Sequence, residues 1–403
     1  MITMMAAALV GSGVANAGTW YSAAPGSEDS CPPDEVYGNY ASDENVSGAS
    51  LHIFADDDPE HGDDFEYACG GETNTGAANG NNVTMTGGSV RNLYAGYTNT
   101  GVANGNNVTM TGGSVGSLYA GYSNKGSGAN NNKIVITNGK VTSNLFVGVV
   151  NTGNGTASGN KLIITGGEIT AQNIGAAKTR DGDAQGNFAY ITGGTMKTVY
   201  GGYAMNNGTS KDNQVHLVGV GASITVDGEK YDGQQIQVSY AINAGYSTYG
   251  SESGNSIEIY GTGISAMQIN SLQLLNFHIV GAQASDDAPM LSLTSTYEYS
   301  TMIFGEVELG FYGDGVKNWG AFDGKSITLV SAATAITIGE GSLGDVEIKG
   351  VDGATVATAT LGLANENKSL VLSNIKGTAP IPEPTTGTLS LLALAGLCIR
   401  RRK

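Results

Sequence analysis

Thirteen carboxylates crowd residues 18 to 66, with no Lys or Arg among them, and Asp56, Asp57, Asp58, Glu60, Asp63, Asp64 and Glu66 form the densest group. Oxygen ligands at this density suit calcium, which would relieve their mutual repulsion. Asp56, Asp58 and Asp63 are the candidate ligands, and a solvated acidic segment is the competing reading. Asp181 and Asp183 make a second, sparser oxygen-rich loop. The four histidines, His52, His61, His216 and His278, have neither zinc spacing nor the setting of a nucleophile triad. Lys133, Lys161 and Lys197 read as lying at different places within their units. The Gly-rich stretches lack the Lys-Ser/Thr ending of a phosphate cradle. The tyrosines are regularly placed: Tyr94 and Tyr119 share one position, while Tyr97, Tyr122, Tyr203 and Tyr246 share another. A column of such rings either stacks on sugars, with Tyr94, Tyr119 and Tyr200 as candidate glycan-binding residues, or packs on itself. Strand alternation puts Tyr94 and Tyr97 on opposite faces unless a bulge at Gly96 intervenes.

The elements that must position these residues are repeats. Residues 76 to 90 (GAANGNNVTMTGGSV) recur at 101 to 115 with one change, Ala77 against Val102, at a period of 25. Weaker copies follow at Asn132 to Gly139, Asn160 to Gly167, Asn187 to Gly194 and Gly254 to Gly261, with spacings of 25 to 28 over the first five copies. Within a copy, Val83 and Met85 alternate with Thr84 and Thr86, the period of a half-buried strand. Gly87-Gly88 permits a corner, Val90 and Leu93 begin a second apolar strand, and Thr98 to Gly105 make a polar turn. One such unit cannot bury its apolar edge alone, but stacked coils can. The expected fold is therefore all-β: a parallel β-helix, taken as right-handed, of 25- to 28-residue coils. Seven or eight coils give a rod about 35 to 40 Å long. Asn82, Asn107, Asn132 and Asn160 are placed either to stack as an amide ladder or simply to make turns.

The pattern N-x-V-x-I-x-G-G followed by V-Y-G-G-Y resembles the passenger repeats of autotransporter-type surface proteins over roughly 200 residues. The resemblance implies architecture and leaves the ligand open. The long translocator barrel of those proteins has no counterpart in this sequence.

At the C-terminal end, Pro382, Glu383 and Pro384 precede an uncharged run from Thr385 to Ile399 and then Arg400, Arg401, Arg402 and Lys403. The apolar core, Leu389 to Ile399, is shorter than the roughly 20 residues of a relaxed bilayer span. The basic end would hold it in the cytoplasm. This tripartite pattern resembles the PEP-CTERM sorting signal. The resemblance implies an exosortase-type enzyme as partner and a tail that is removed, so that the membrane is touched only before processing. At the other end Met4 to Val14 is apolar or small, and Ala15-Asn16-Ala17 makes a small-x-small cleavage site. With Cys398 in the sorting tail, Cys31 and Cys69 remain as the pair in an oxidising compartment. A disulfide between them would close a loop of roughly 40 residues, stabilising by about 3 to 4 kcal/mol in the chain-entropy account.

These readings divide the chain into a signal peptide (1–17), an acidic N-terminal cap (18–66), β-helix repeats (67–285), a small β cap or sandwich (286–376) and a sorting tail with a short apolar helix (377–403). Without both end segments the net charge falls from -17 to -20, which argues against nucleic acid and anionic membrane as partners. The expectation is an exported rod of the cell envelope, outer-membrane surface or extracellular matrix, non-enzymatic and without a required cofactor, serving a structural or adhesive role. A module binding extracellular polysaccharide or host glycan through its tyrosines is the alternative. A polysaccharide lyase or hydrolase would need acidic and basic side chains on adjacent coils of one outward face, where the repeats instead place Thr84, Thr86, Thr109 and Thr111.

Overall fold

The computed structural model describes residues 19–21, 35–54, 64–284, 287–296, 307–313, 316–338 and 342–378. The signal peptide and its cleavage site, Cys31, the candidate calcium ligands Asp56, Asp58 and Asp63, and the sorting tail with its apolar helix lie outside the described residues. The fold is the expected β-helix solenoid: 26 strands form one continuous, mostly parallel sheet.

One face of each coil is a short strand. Ser50–Ile53, Asn82–Met85, Asn107–Met110, Lys133–Ile136, Lys161–Ile164 and Phe188–Ile191 pair in parallel and without a register shift. Gln214–Val218, Ser256–Tyr260, Leu274–His278 and Glu308–Tyr312 continue the same column. Alternation decides what faces in: Leu51 and Ile53, Val83 and Met85, and Ile134 and Ile136 are all buried. The second, longer strand of each coil, such as Ser89–Thr98 or Ser114–Ser123, bends after its first two residues, so Val90 and Leu93 both reach the core although they are three apart. Gly88, Gly113, Gly139, Gly167 and Gly194 turn the corner between the two strands with φ between 74° and 108°, a range costly for any residue with a Cβ.

The stack extends past both expected boundaries of the repeat region. Thr19–Tyr21, Glu35–Ala41 and Ser50–Ile53 are already coiled in parallel register with the next coils, so the described part of the acidic segment belongs to the solenoid. Past residue 285, Leu291–Leu293 and Glu308–Tyr312 still pair in parallel with the coils before them. These coils keep the inward alternation after losing the Gly-Gly and Asn signals that marked the others. With Thr19–Tyr21 included, eleven short strands lie one above another, a rod of about 48 Å at the usual strand spacing. The true end is antiparallel: Gly344–Lys349, Thr355–Ala364 and Ser369–Gly377 form a meander whose last strand pairs with Ile327–Ala332.

Inside the coil runs an asparagine ladder: Asn81, Asn106, Asn132, Asn160, Asn187, Asn213 and Asn255, each at most 1% exposed. Each carboxamide oxygen accepts from the backbone N–H and from Nδ2 of the ladder asparagine one coil below, as Asn160 Oδ1 does from Asn132 at 3.0 Å in both cases. Each Nδ2 also donates to a backbone carbonyl, Ala129 O in the case of Asn160 at 2.9 Å. The ladder starts at Ala49 N–H and ends at Gln273 Oε1. Asn132 and Asn160 are members as expected, but Asn82 and Asn107 are not. They sit outside and pair with each other at 3.0 Å, and their predecessors Asn81 and Asn106 point inward. The cause is the preceding residue. Gly80, Gly105, Asn131, Gly159, Gly186, Asp212 and Gly254 all have φ between 53° and 64°, and this left-handed step aims the next side chain into the coil.

Replacing Asn160 by Ala strands the two buried donors of Asn132 and removes two donations by Asn160 itself. We expect a loss of about 4 kcal/mol, read as a lower urea midpoint, against less than about 0.5 kcal/mol for Asn82→Ala on the surface.

Candidate functional site

The tyrosines stand on the long strands, immediately after the core residue Leu93 or its equivalent. Tyr94 pairs in register with Tyr119, and Tyr97 with Tyr122. Contrary to simple alternation, both columns share one outer face: the Tyr94 and Tyr97 rings are 5.4 Å apart and perpendicular, at 78°. Two consecutive residues between them turn inward. Ala95 is part of the apolar core, and a Cβ on Gly96 would lie 2.5 Å from the buried carboxamide of Asn106. The same clash would arise at Gly71, Gly121, Gly148, Gly202 and Gly245 against their own ladder asparagines. The glycine of the Tyr-x-Gly-Tyr motif is thus required by the ladder, and the double inward step brings the two tyrosines onto one side.

The rings face each other along the rod axis. Tyr94 stacks on Tyr119 at 5.1 Å and 19°, and Tyr97 on Tyr122 at 5.5 Å and 11°. Tyr67 lies between Tyr37 and Tyr94, with centroids 5.4 and 5.3 Å away, and its hydroxyl donates to Glu72. It fills the level of the column where the register places the small Cys69. Burial pushes the Tyr67, Tyr94 and Tyr122 phenols far above their usual range, so they are neutral donors. Farther along, Phe146 and Val149 continue the two columns, then Gly175 and Lys178, then Tyr200 and Tyr203. Burial raises the Tyr200 phenol to about 12, helped by the neighbouring Tyr203, Tyr246 and Tyr240. Tyr200 thus shares a column with Tyr94 and Tyr119, but Phe146 and Gly175 separate it from them.

Cys69 is a free thiol, fully buried, with Sγ donating to Gly71 O at 3.3 Å. The thiol is enclosed beneath the aromatic column, and burial pushes its pKa well up; Cys31, its expected disulfide partner, lies outside the described residues. Asp181 and Asp183 bond the next coil, accepting from the Asn206 side-chain Nδ2 and from the Thr209 backbone N–H respectively. Lys133 and Lys161 occupy equivalent positions, one directly above the other. Their repulsion is met by Asp227, which bonds both. Asp227 is the tip of a hairpin, Ser223–Val226 with Glu229–Asp232, whose Asp-Gly turn has φ of 53° and 88°. Hydrogen bonds from Lys161 and then Lys133 lower its carboxyl pKa. Among the described residues no group of three or more His, Cys, Asp or Glu is placed to hold a metal ion, and no helix is long and apolar enough to cross a membrane.

A second column, on the short-strand face, was missed from sequence. Tyr190, His216, Tyr260, His278 and Tyr312 stack in turn with centroids 4.7, 6.0, 3.9 and 5.0 Å apart. Beside it the buried Glu258 carboxylate accepts from Ser256 Oγ at 2.7 Å, Asn276 Nδ2 at 2.8 Å and His278 Nε2 at 2.9 Å. Burial raises the Glu258 pKa and these bonds lower it, with the bonds prevailing. His216 contacts the Tyr260 hydroxyl and Gln214 Oε1. The buried Nδ1 of His278 has no hydrogen-bond partner. The signal lay in register: once Gly254 to Gly261 is aligned as a coil, His216 and Glu258 fall on one outward column.

No family model matches the chain, and neither does any curated protein or solved structure.

Burial depresses the His216 pKa from 6.5 to about 4, with Glu258 opposing and His278 assisting. Between these values the unfolded chain takes up a proton that the native one refuses. Stability therefore falls as pH drops from 6.5 towards 4, by roughly 3 kcal/mol from this residue. Glu258, with its lowered pKa, adds stability that is lost as pH falls through its folded value. Urea midpoints measured across this window should decline in the native chain. The decline should be shallower in His216→Phe, which keeps a ring between Tyr190 and Tyr260.

Proposed function

We propose that the protein is an exported, non-enzymatic, rod-like scaffold of the cell envelope or extracellular matrix with a structural or adhesive role. The observation that carries this reading is the mutual use of side chains between coils. Asparagines bond asparagines, tyrosines stack on tyrosines, and the histidine column stacks with tyrosines, so most recognisable groups serve to hold successive coils in register. Outer polar positions do the same: Asn74, Asn99, Asn124 and Asn151 form a second ladder at 2.9 to 3.0 Å. A rod built this way resists local opening, as a component exposed outside the cell must.

Delivery follows from the two ends. The apolar N-terminal segment directs export, and Pro382, Glu383 and Pro384 with the apolar run and Arg400, Arg401 and Arg402 present the chain to an exosortase-type enzyme. Mass spectrometry of the envelope and secreted fractions should find a chain beginning at Gly18 and lacking Arg400 to Lys403. A chain confined to the cytosol with both ends intact would overturn the reading.

A further inference from the structure

Several cations on this rod have a carboxylate partner: Lys133 and Lys161 share Asp227, and Arg91, Lys140 and Lys211 pair with Glu66, Glu168 and Asp212. Lys125, Lys178, Arg180 and Lys197 form no such pair among the described residues, and of these Lys178 alone is not exposed. It is half-buried, its ammonium stands 5.4 Å over the Phe146 ring, and among the described residues no carboxylate pairs with it. In register it stands in the second aromatic column, after Tyr97, Tyr122 and Val149 and before Tyr203. The adjacent column at the same coil holds Gly175, which presents no side chain. The Phe146 ring leans over Gly175, where a Cβ would lie 2.8 Å from it, so the tyrosine columns are interrupted by a step at which Lys178 covers a phenylalanine. Two residues on, exposed Arg180 takes the level above Asn151, where the outer asparagine ladder stops. Residues 70 to 200 hold eight basic and four acidic side chains in a chain of net charge -17, and two of the acidic ones, Asp181 and Asp183, closely follow Arg180.

We propose that this step, with Lys178 at its centre and Arg180 beside it, docks an acidic polysaccharide lying along the rod. The inference rests on the surface-scaffold reading and names the partner of its tyrosine face. Stacking of sugar rings is a poor fit, since Tyr94, Tyr97, Tyr119 and Tyr122 already turn their ring faces to one another. What the face offers is neutral phenol donors on both sides of a cation. That set matches a chain rich in hydroxyl and carboxylate acceptors. Burial lowers the Lys178 pKa, the mark of a cation removed from water without a counter-charge. A ligand carboxylate supplies that counter-charge.

The test is retention of the full chain on immobilised polygalacturonate, with plain dextran and duplex DNA as controls. Expected are binding that salt reverses, about tenfold weaker binding for Lys178→Gln, and near-native binding for Lys178→Arg. Lys211→Gln should bind as the native chain does, and circular dichroism should report the same fold for each variant. Absence of retention, equal binding by Lys178→Gln, or equal retention on dextran or duplex DNA would overturn the proposal. A surface-located protein that fails to bind removes the docking site and leaves the scaffold reading standing. A cytosolic protein removes that reading itself.

Discussion

A carboxamide buried once per coil must find two acceptors and two donors away from water, and here it finds them mainly in its own copy one coil away. Ladder members lie 25, 26, 28, 27, 26 and 42 residues apart in sequence, yet the bonds between them stay near 3.0 Å. Coil length is therefore free where register is not. The 42-residue step carries the Asp227 hairpin, which leaves the coil and returns without disturbing the ladder. An unmatched member would leave buried polar groups at a cost of about 1 to 3 kcal/mol each, so the ladder penalises any slip of one coil against the next.

Two other regularities follow from it. The residue before each ladder asparagine must take a left-handed backbone, which is why Gly, Asn or Asp stands there. The residue facing the carboxamide from the long strand must be small, which sets the glycine of the Tyr-x-Gly-Tyr motif. At the Asn187 level that column holds Ala177, the one alanine among these glycines. The tyrosines flanking the glycine are then thrown onto one outer face by a backbone step made for the interior. The outer surface is shaped by what the core requires.

The architecture was legible because period-two alternation and the 25-residue repeat both survive in sequence, and the tyrosine columns were assigned to the right positions for the same reason. Three features were hidden by particular ambiguities. In Asn79-Gly80-Asn81-Asn82, composition does not tell which asparagine points inward; the left-handed step at Gly80 does. Alternation alone separates Tyr94 from Tyr97, since it does not foresee two inward residues in succession. Past Tyr190 the Tyr-His column is built from coils whose Gly-Gly marks are lost, so His216, Glu258 and His278 are aligned only by strand pairing.

The ladder also explains where the repeat stops being a repeat. Gln273 takes the place of an asparagine and accepts from Asn255 N–H through its longer side chain. Beyond it the coils stack through backbone pairing and apolar contacts such as Phe277 on Phe311. Parallel coils without an internal polar clamp have less to fix their register, and an open parallel edge invites another chain to pair with it. The antiparallel meander from Gly344 to Gly377 answers both problems: its hairpins set register by local turns, and its last strand folds back onto Ile327–Ala332 at the end of the stack. The change from parallel to antiparallel pairing comes only after the asparagines have run out, several parallel coils beyond Gln273.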